Sequence, residues 1–234
     1  MAFHLPKISV RAFTDDQSVL DKCFYSNNYQ LKGTKDSSNG PVIVDIGAHV
    51  GYFTFTALAM GAKKVYSVEP YIENFKMLLD CDLDALERSD RAVPYYLGIY
   101  PFEAVFKFNH PEITDGIYYN FSNIDIESDK ASGCRNQVIK LDSFLNDYVI
   151  ETTVDVLKIS IGYSEIEILE GASLDKVISI CGETDEELER IEQFKEMMAQ
   201  KGFINFVLTK GDGESRNVFF ASKGDINKHF NVQK

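Results

Sequence analysis

Apolar positions along the chain fall into short unbroken runs separated by segments with helical spacing. Pro41 opens the run VIVDIG, which reads as a strand buried on both faces. Residues 52–60 carry Phe53, Ala57 and Met60 at helical spacing and stop at Gly61. A short buried strand is predicted over 65–68. A helix follows over 74–85, with Phe75, Leu78, Leu79 and Leu83 in one stripe, and a third strand spans 93–97.

From 102 to 136 the pattern loosens. AVFKFN alternates and reads as an added strand, and the rest reads mainly as a long loop. Order returns with a strand over 137–141, a short helix over 142–148 and the buried strand DVLKIS. A helix over 165–170 and a fifth central strand over 177–181 come next. Thr184 with Glu187 reads as a capping box for a helix through Lys201, with Leu188, Ile191, Phe194 and Met198 facing the core. Residues 203–209 and 217–221 close the chain as a hairpin-like pair. This alternation predicts an α/β fold: a seven-stranded, mostly parallel sheet, its last strand antiparallel, with helices on both faces. The turn-forming stretch KGTKDSSNG divides an N-terminal extension and loop (1–40) from a main domain (41–222), and 223–234 form a C-terminal tail.

Composition narrows the function classes. The chain has 234 residues, 44% hydrophobic and 26% charged, values of a soluble globular domain. Its 24 basic and 36 acidic residues leave a net charge of −12, which repels phosphate backbones and anionic membranes. No nucleic-acid partner is therefore expected, and no apolar run is long enough for a membrane span. The first residues do not read as a secretory signal. Cys23, Cys81, Cys134 and Cys181 are widely spaced and lack nearby histidines, against a zinc site or disulfide framework. A reducing, cytoplasmic setting is expected, no metal is implied, and a homo-oligomer is left open.

Chemistry concentrates in VIVDIGAHVG. A buried strand runs into a glycine turn and then a helix. Gly47 permits a tight turn and close approach of a ligand, and Gly51 permits close packing where the helix begins. Free backbone N–H groups at such a helix start suit a carboxylate. Glu69, 24 residues after Asp45, stands where an acid binds ribose hydroxyls. The spacing Asp-x-Gly-x-x-x-Gly puts His49 where a dinucleotide fingerprint needs its second glycine. A nucleoside with an amino-acid tail, S-adenosylmethionine, fits better than NAD. A bare glycine turn occurs after many first strands, and Asp45 could instead cap the helix.

The stretches VIVDIGAHVGYFTFTALAMGAKKVYSVEPYIENFKML, VIKLDSFL and VDVLKISIGYSEIEILEGA resemble, in order and separation, the blocks of FkbM-type S-adenosylmethionine-dependent methyltransferases. The resemblance covers about 42–209 and implies a Rossmann-like class I methyltransferase acting on a small-molecule or sugar hydroxyl. Where the family reads Lys-Ile-Asp-Val-Glu-Gly, this chain has Lys158-Ile159-Ser160-Ile161-Gly162-Tyr163, so both family carboxylates are missing while Lys158 and Glu165 remain. The family's first-block asparagine is His49 here.

The candidate cofactor residues are Asp45, Gly47, Ala48, His49, Gly51, Glu69, Pro70 and Ser160. Glu165 is the candidate base, although a carboxylate at that place more often caps or faces water. Tyr100 and His110, with Tyr118 and Tyr119 nearby, are candidates for an acceptor pocket, against the commoner outcome of a loop packed by its own side chains. The rival reading is a degenerate methyltransferase fold that binds cofactor or a partner without catalysis. A third, methylation of an RNA ribose or cap, suits the fold but not the charge.

Overall fold

The computed structural model describes residues 9–232 apart from 13, 15, 81–89, 110–132, 163 and 211–215. The chain opens with a short helix α1 (Asp16–Leu20) that continues as a π-helical turn, Asp21–Tyr25. The main sheet is built from β1 (Val42–Ile46), β2 (Lys64–Val68), β3 (Ala92–Tyr95), β7 (Val154–Ile159), β8 (Val177–Thr184), β9 (Asn205–Lys210) and β10 (Asn217–Ser222). Their order is β3-β2-β1-β7-β8-β10-β9, parallel except for β10, which runs antiparallel to both neighbours. The predicted seven-stranded sheet with its antiparallel last strand is therefore present. The direction of winding reverses between β1 and β7, the position where open α/β sheets place their ligands.

Alternate residues of each central strand feed two cores. Val44, Ile46, Leu157, Ile159 and Ile180 face one side, where Phe144 of α4 (Leu141–Asp147), Ile168 of α5 (Glu165–Gly171) and Phe194 of α6 (Leu188–Gln200) pack on them. Ile43, Val65, Val156, Cys181 and Phe220 face the other side, against Phe53 and Leu58 of α2 (Tyr52–Ala59). Helix α2 is buried on nearly every face, because Leu20 and Cys23 cover the side the sheet leaves open. The flanking segments enter the same core. Tyr29, Leu31, Ile226, Phe230 and Val232 belong to it, and Leu31 bridges to Phe230.

Several expectations change on the structure, Leu188 among them: expected to face the core, it stands exposed at the start of α6, while Ile191, Phe194 and Met198 are buried. Helix α3 (Ile72–Asp80) starts two residues early, with Asn74 and Leu78 buried and Leu79 half exposed; Leu83 lies outside the described residues. The strand expected over 137–141 is β6 (Gly133–Ile139), and it leaves the main sheet. It pairs with β4 (Gly98–Ile99) and with β5 (Ala104–Asn109), the added strand, in a small three-stranded sheet. The capping box at Thr184 does not form. Pairing with Asn217 of β10 draws Thr184 into β8, its hydroxyl accepts from Glu186 N–H, and α6 begins after Glu187. The last concerns the backbone donors of the glycine turn.

Candidate functional site

The carboxyl ends of β1, β2 and β7 converge on the glycine turn. Gly47 adopts φ +75°, and a Cβ there would stand 2.1 Å from the Ser160 carbonyl oxygen. The absent side chain thus makes room for the end of β7. Ser160 N–H donates to Ile46 O, which ties the two strand ends together. Gly51 adopts φ +96° under Leu78 of α3, whose Cδ1 would lie 2.6 Å from a Cβ. His49 takes the left-handed conformation at φ +55° without being glycine.

Four of the turn's N–H groups are engaged within the protein, so Gly47, Ala48, His49 and Gly51 do not themselves form an open anion cradle. Those of Gly47 and Ala48 donate to Val68 O at 3.0 Å, that of His49 to Glu69 Oε2 at 2.8 Å, and that of Gly51 to Ala48 O at 2.9 Å. A sharp turn at the end of a buried strand must satisfy its own backbone, and the end of β2 supplies the acceptors.

Asp45 is fully buried. Lys158 Nζ lies 2.9 Å from its Oδ1, and Thr54 donates to its Oδ2 at 2.7 Å. Lys158 also donates to Gly47 O at 2.8 Å. Burial is the largest influence and opposes the ammonium, but Asp45 together with Cys23 and Glu183 outweighs it, and the Lys158 pKa lies above its ordinary value. The pair braces the turn from below.

Glu69 is the carboxylate above it. Its Oε1 accepts from Tyr71 N–H at 2.9 Å and from Asn74 Nδ2 at 3.4 Å, alongside the His49 bond to Oε2. Burial pushes its pKa up to about 7 despite those donors. Two buried polar atoms nearby have no hydrogen-bond partner in the protein: His49 Nδ1 and Asn74 Oδ1. The next residue, Pro70, is half-buried, and its carbonyl accepts from Asn136 Nδ2 at 2.8 Å. A carboxylate with unpartnered polar atoms beside it is a donor and acceptor set for a polyhydroxylated, amide-like or nucleoside ligand.

On the β7–β8 side, Glu165 folds the loop before α5. Its Oε1 accepts from Ile161 N–H at 3.0 Å and Gly162 N–H at 2.9 Å. Burial raises its pKa, while Arg216 opposes the rise. Arg216 reaches Glu165 at 3.5 Å, Glu183 at 3.3 Å, Asp185 at 2.5 Å and Gly162 O at 3.1 Å. Tyr29 donates to Glu183 Oε1 at 3.1 Å. Sequence reasoning passed over Arg216 and Tyr29. Nothing local marks either, since their partners lie on strands far away in sequence.

Tyr100 follows β4, half-buried, its ring 4.6 Å from that of Phe102. It borders the small sheet, where its N–H donates to Ile139 O. His110, Tyr118 and Tyr119 lie outside the described residues. Among the described residues, no three His, Cys, Asp or Glu side chains form a group able to hold a metal ion, and no helix is long and apolar enough to cross a membrane.

Sheet order and a turn at the switch point define the class I methyltransferase fold. The chain belongs to the methyltransferase FkbM domain family, whose model matches residues 45–205. Among solved structures it is similar to the methyltransferase FkbM from Methylobacillus flagellatus, at 14% identity and TM-score 0.53, covering 88% of this chain and 53% of that one. It is also similar to the METTL16 MTase domain, at 11% identity and TM-score 0.50, covering 89% of this chain and 66% of that one. This chain therefore spans about half of the first and two thirds of the second. No curated protein matches the chain in sequence.

Proposed function

We propose that this protein is an S-adenosylmethionine-dependent methyltransferase that methylates a hydroxyl of a small molecule or sugar. The observation that carries the reading is Glu69. It is a buried carboxylate at the carboxyl end of β2, bound to the glycine turn through His49 N–H and flanked by unpartnered His49 Nδ1 and Asn74 Oδ1. A ribose diol donates two hydroxyl hydrogens, which the Glu69 carboxylate and Asn74 Oδ1 can accept, and this leaves His49 Nδ1 for the amino-acid tail. Glu69 would hold the ribose, and the segment Gly47–Gly51 the amino-acid tail. Pro70 would border the nucleoside, and Ser160 would face the reacting end from β7. Bound S-adenosylmethionine supplies an electrophilic methyl carbon on a sulfonium.

The chain's own work is then positioning, which supplies much of the rate in such a displacement. Asp45 and Lys158 keep the turn rigid, and Ser160, with Tyr100 on the neighbouring small sheet, would line the acceptor side. Glu165 is the candidate to take the hydroxyl proton. Its present bonds to two backbone N–H groups and Arg216 require the loop at 161–164 to loosen before it can do so.

That engagement favours one alternative, a fold that binds cofactor without turnover. The test is incubation with methyl-labelled S-adenosylmethionine and panels of sugars, hydroxylated small molecules and RNA. Label on a sugar or small-molecule hydroxyl supports the proposal. Label on RNA alone moves the acceptor to nucleic acid, against the net charge of −12. Cofactor binding without transfer to any acceptor supports the degenerate reading.

A further inference from the structure

Gly47, Ala48, His49 and Gly51 have spent their backbone N–H groups within the protein, so a ligand anion reaching that part of the turn draws on a side-chain donor. Among the described residues, His49 offers one. His49 Nδ1 is buried and has no partner in the protein, a costly state for a polar group unless something else completes it.

The other ring nitrogen, Nε2, lies 3.3 Å from Arg11 Nη2. A guanidinium offers only N–H donors, so Nε2 takes this bond as a bare acceptor. A neutral imidazole with a bare Nε2 carries its proton on Nδ1. Arg11 is itself held by Asp16, which is fully buried. Nε and Nη2 reach the two carboxylate oxygens at 2.9 and 2.7 Å, and the Arg11 backbone N–H donates to the same carboxylate at 2.9 Å. The segment is also anchored where Tyr52 donates to Ser9 O at 2.8 Å. Asp16 Oδ1 stands 3.6 Å from Nε2, so without Arg11 it would draw a proton onto that nitrogen instead.

We propose that Arg11 is a positioning residue: by donating to Nε2 it fixes His49 as the Nδ1–H tautomer, and Nδ1–H is the donor this turn offers to the α-carboxylate of bound S-adenosylmethionine. The ligand half rests on the cofactor reading above; the tautomer half does not. Burial holds the His49 pKa down to about 4, so the ring is neutral near pH 7 and can carry a single, directed proton.

Two measurements test it. In ¹⁵N-labelled full-length protein without ligand, long-range ¹H–¹⁵N correlation at pH 7 reads the tautomer, with His49 assigned by the signal lost in His49→Asn. The Nδ1–H pattern is expected; an Nε2–H pattern or an imidazolium overturns the proposal. The second is a titration of S-adenosylhomocysteine into wild type, Arg11→Met, His49→Asn and the double variant. An asparagine tolerates φ +55° and carries an amide donor that no tautomer controls. Arg11→Met is expected to weaken binding about tenfold when His49 is present, the loss of one hydrogen bond to a charged group. In the His49→Asn background it is expected to change binding less than about twofold. Equal losses in both backgrounds mean Arg11 only holds its segment in place, and that overturns the proposal. If wild type binds nothing, the cofactor reading fails and the ligand half falls with it, while the tautomer spectrum still decides the rest.

Discussion

Asp45 and Lys158 face each other across adjacent parallel strands, in register and both fully buried, with Nζ 2.9 Å from Oδ1. Two charges out of water are tolerated only as a pair, so removing one leaves the other stranded. Asp45→Asn or Lys158→Met alone is expected to cost roughly 3–5 kcal/mol in urea unfolding. The double variant Asp45→Leu/Lys158→Met is expected to recover more than half of that. Additive losses would mean that the two groups do not act as a pair.

Gly47 and Gly51 carry different constraints. At Gly47 a methyl group would meet the Ser160 carbonyl, which is backbone and cannot swing away, at positive φ. At Gly51 it would meet the tip of Leu78, which can rotate. Gly47→Ala is therefore expected to destabilise by about 3 kcal/mol or more and Gly51→Ala by about 1–2 kcal/mol. Thermal melts of the two variants check the order, and a milder effect at Gly47 would contradict it.

Much of this framework was legible in the sequence. The runs VIVDIG, KVYSV and DVLKIS are apolar on both sides because both faces of their strands are covered, and that pattern distinguishes a parallel sheet. What escaped depends on contacts between distant residues. Thr184 looks like a helix cap locally, yet pairing with Asn217 makes it a strand residue. Leu79 continues an apolar stripe but points outward, while polar Asn74 turns in beside Glu69. The occupied N–H groups of the turn were illegible because their acceptors, Val68 O and Glu69, come from the next strand.

Arg216 stands between Glu165 and Glu183 where the hairpin β9–β10 meets the ends of β7 and β8. Arg216→Met is expected to cost about 3 kcal/mol at pH 7 by leaving buried carboxylates without their cation. Glu165 already has a raised pKa in the folded state. The folded protein therefore binds its proton before the unfolded chain does, and the penalty is largest above the folded pKa. The deficit of the variant should shrink as pH falls toward the unfolded value near 4.5. A deficit independent of pH would place its origin in lost packing.

Glu69 gives binding a pH dependence. With its pKa near 7, the ionised acceptor grows from roughly a tenth of molecules at pH 6 to nine tenths at pH 8. Affinity for S-adenosylhomocysteine is expected to rise about tenfold across that interval, and Glu69→Gln should weaken binding and flatten the profile. His49 stays neutral throughout and adds no slope. In the unliganded protein the sign reverses: the folded state prefers protonated Glu69, so its contribution to stability falls as pH rises from about 4.5 to about 7. His49 acts oppositely below that range, its contribution being lost as pH falls from about 6.5 to about 4.

Calorimetric titration of the full chain with S-adenosylmethionine and S-adenosylhomocysteine at pH 8 tests the central claim most directly. The account predicts micromolar binding of both, at one site per chain, lost or strongly weakened in Glu69→Gln. Absence of heat at millimolar concentration, with the protein folded, would contradict it and leave a methyltransferase fold that holds no cofactor.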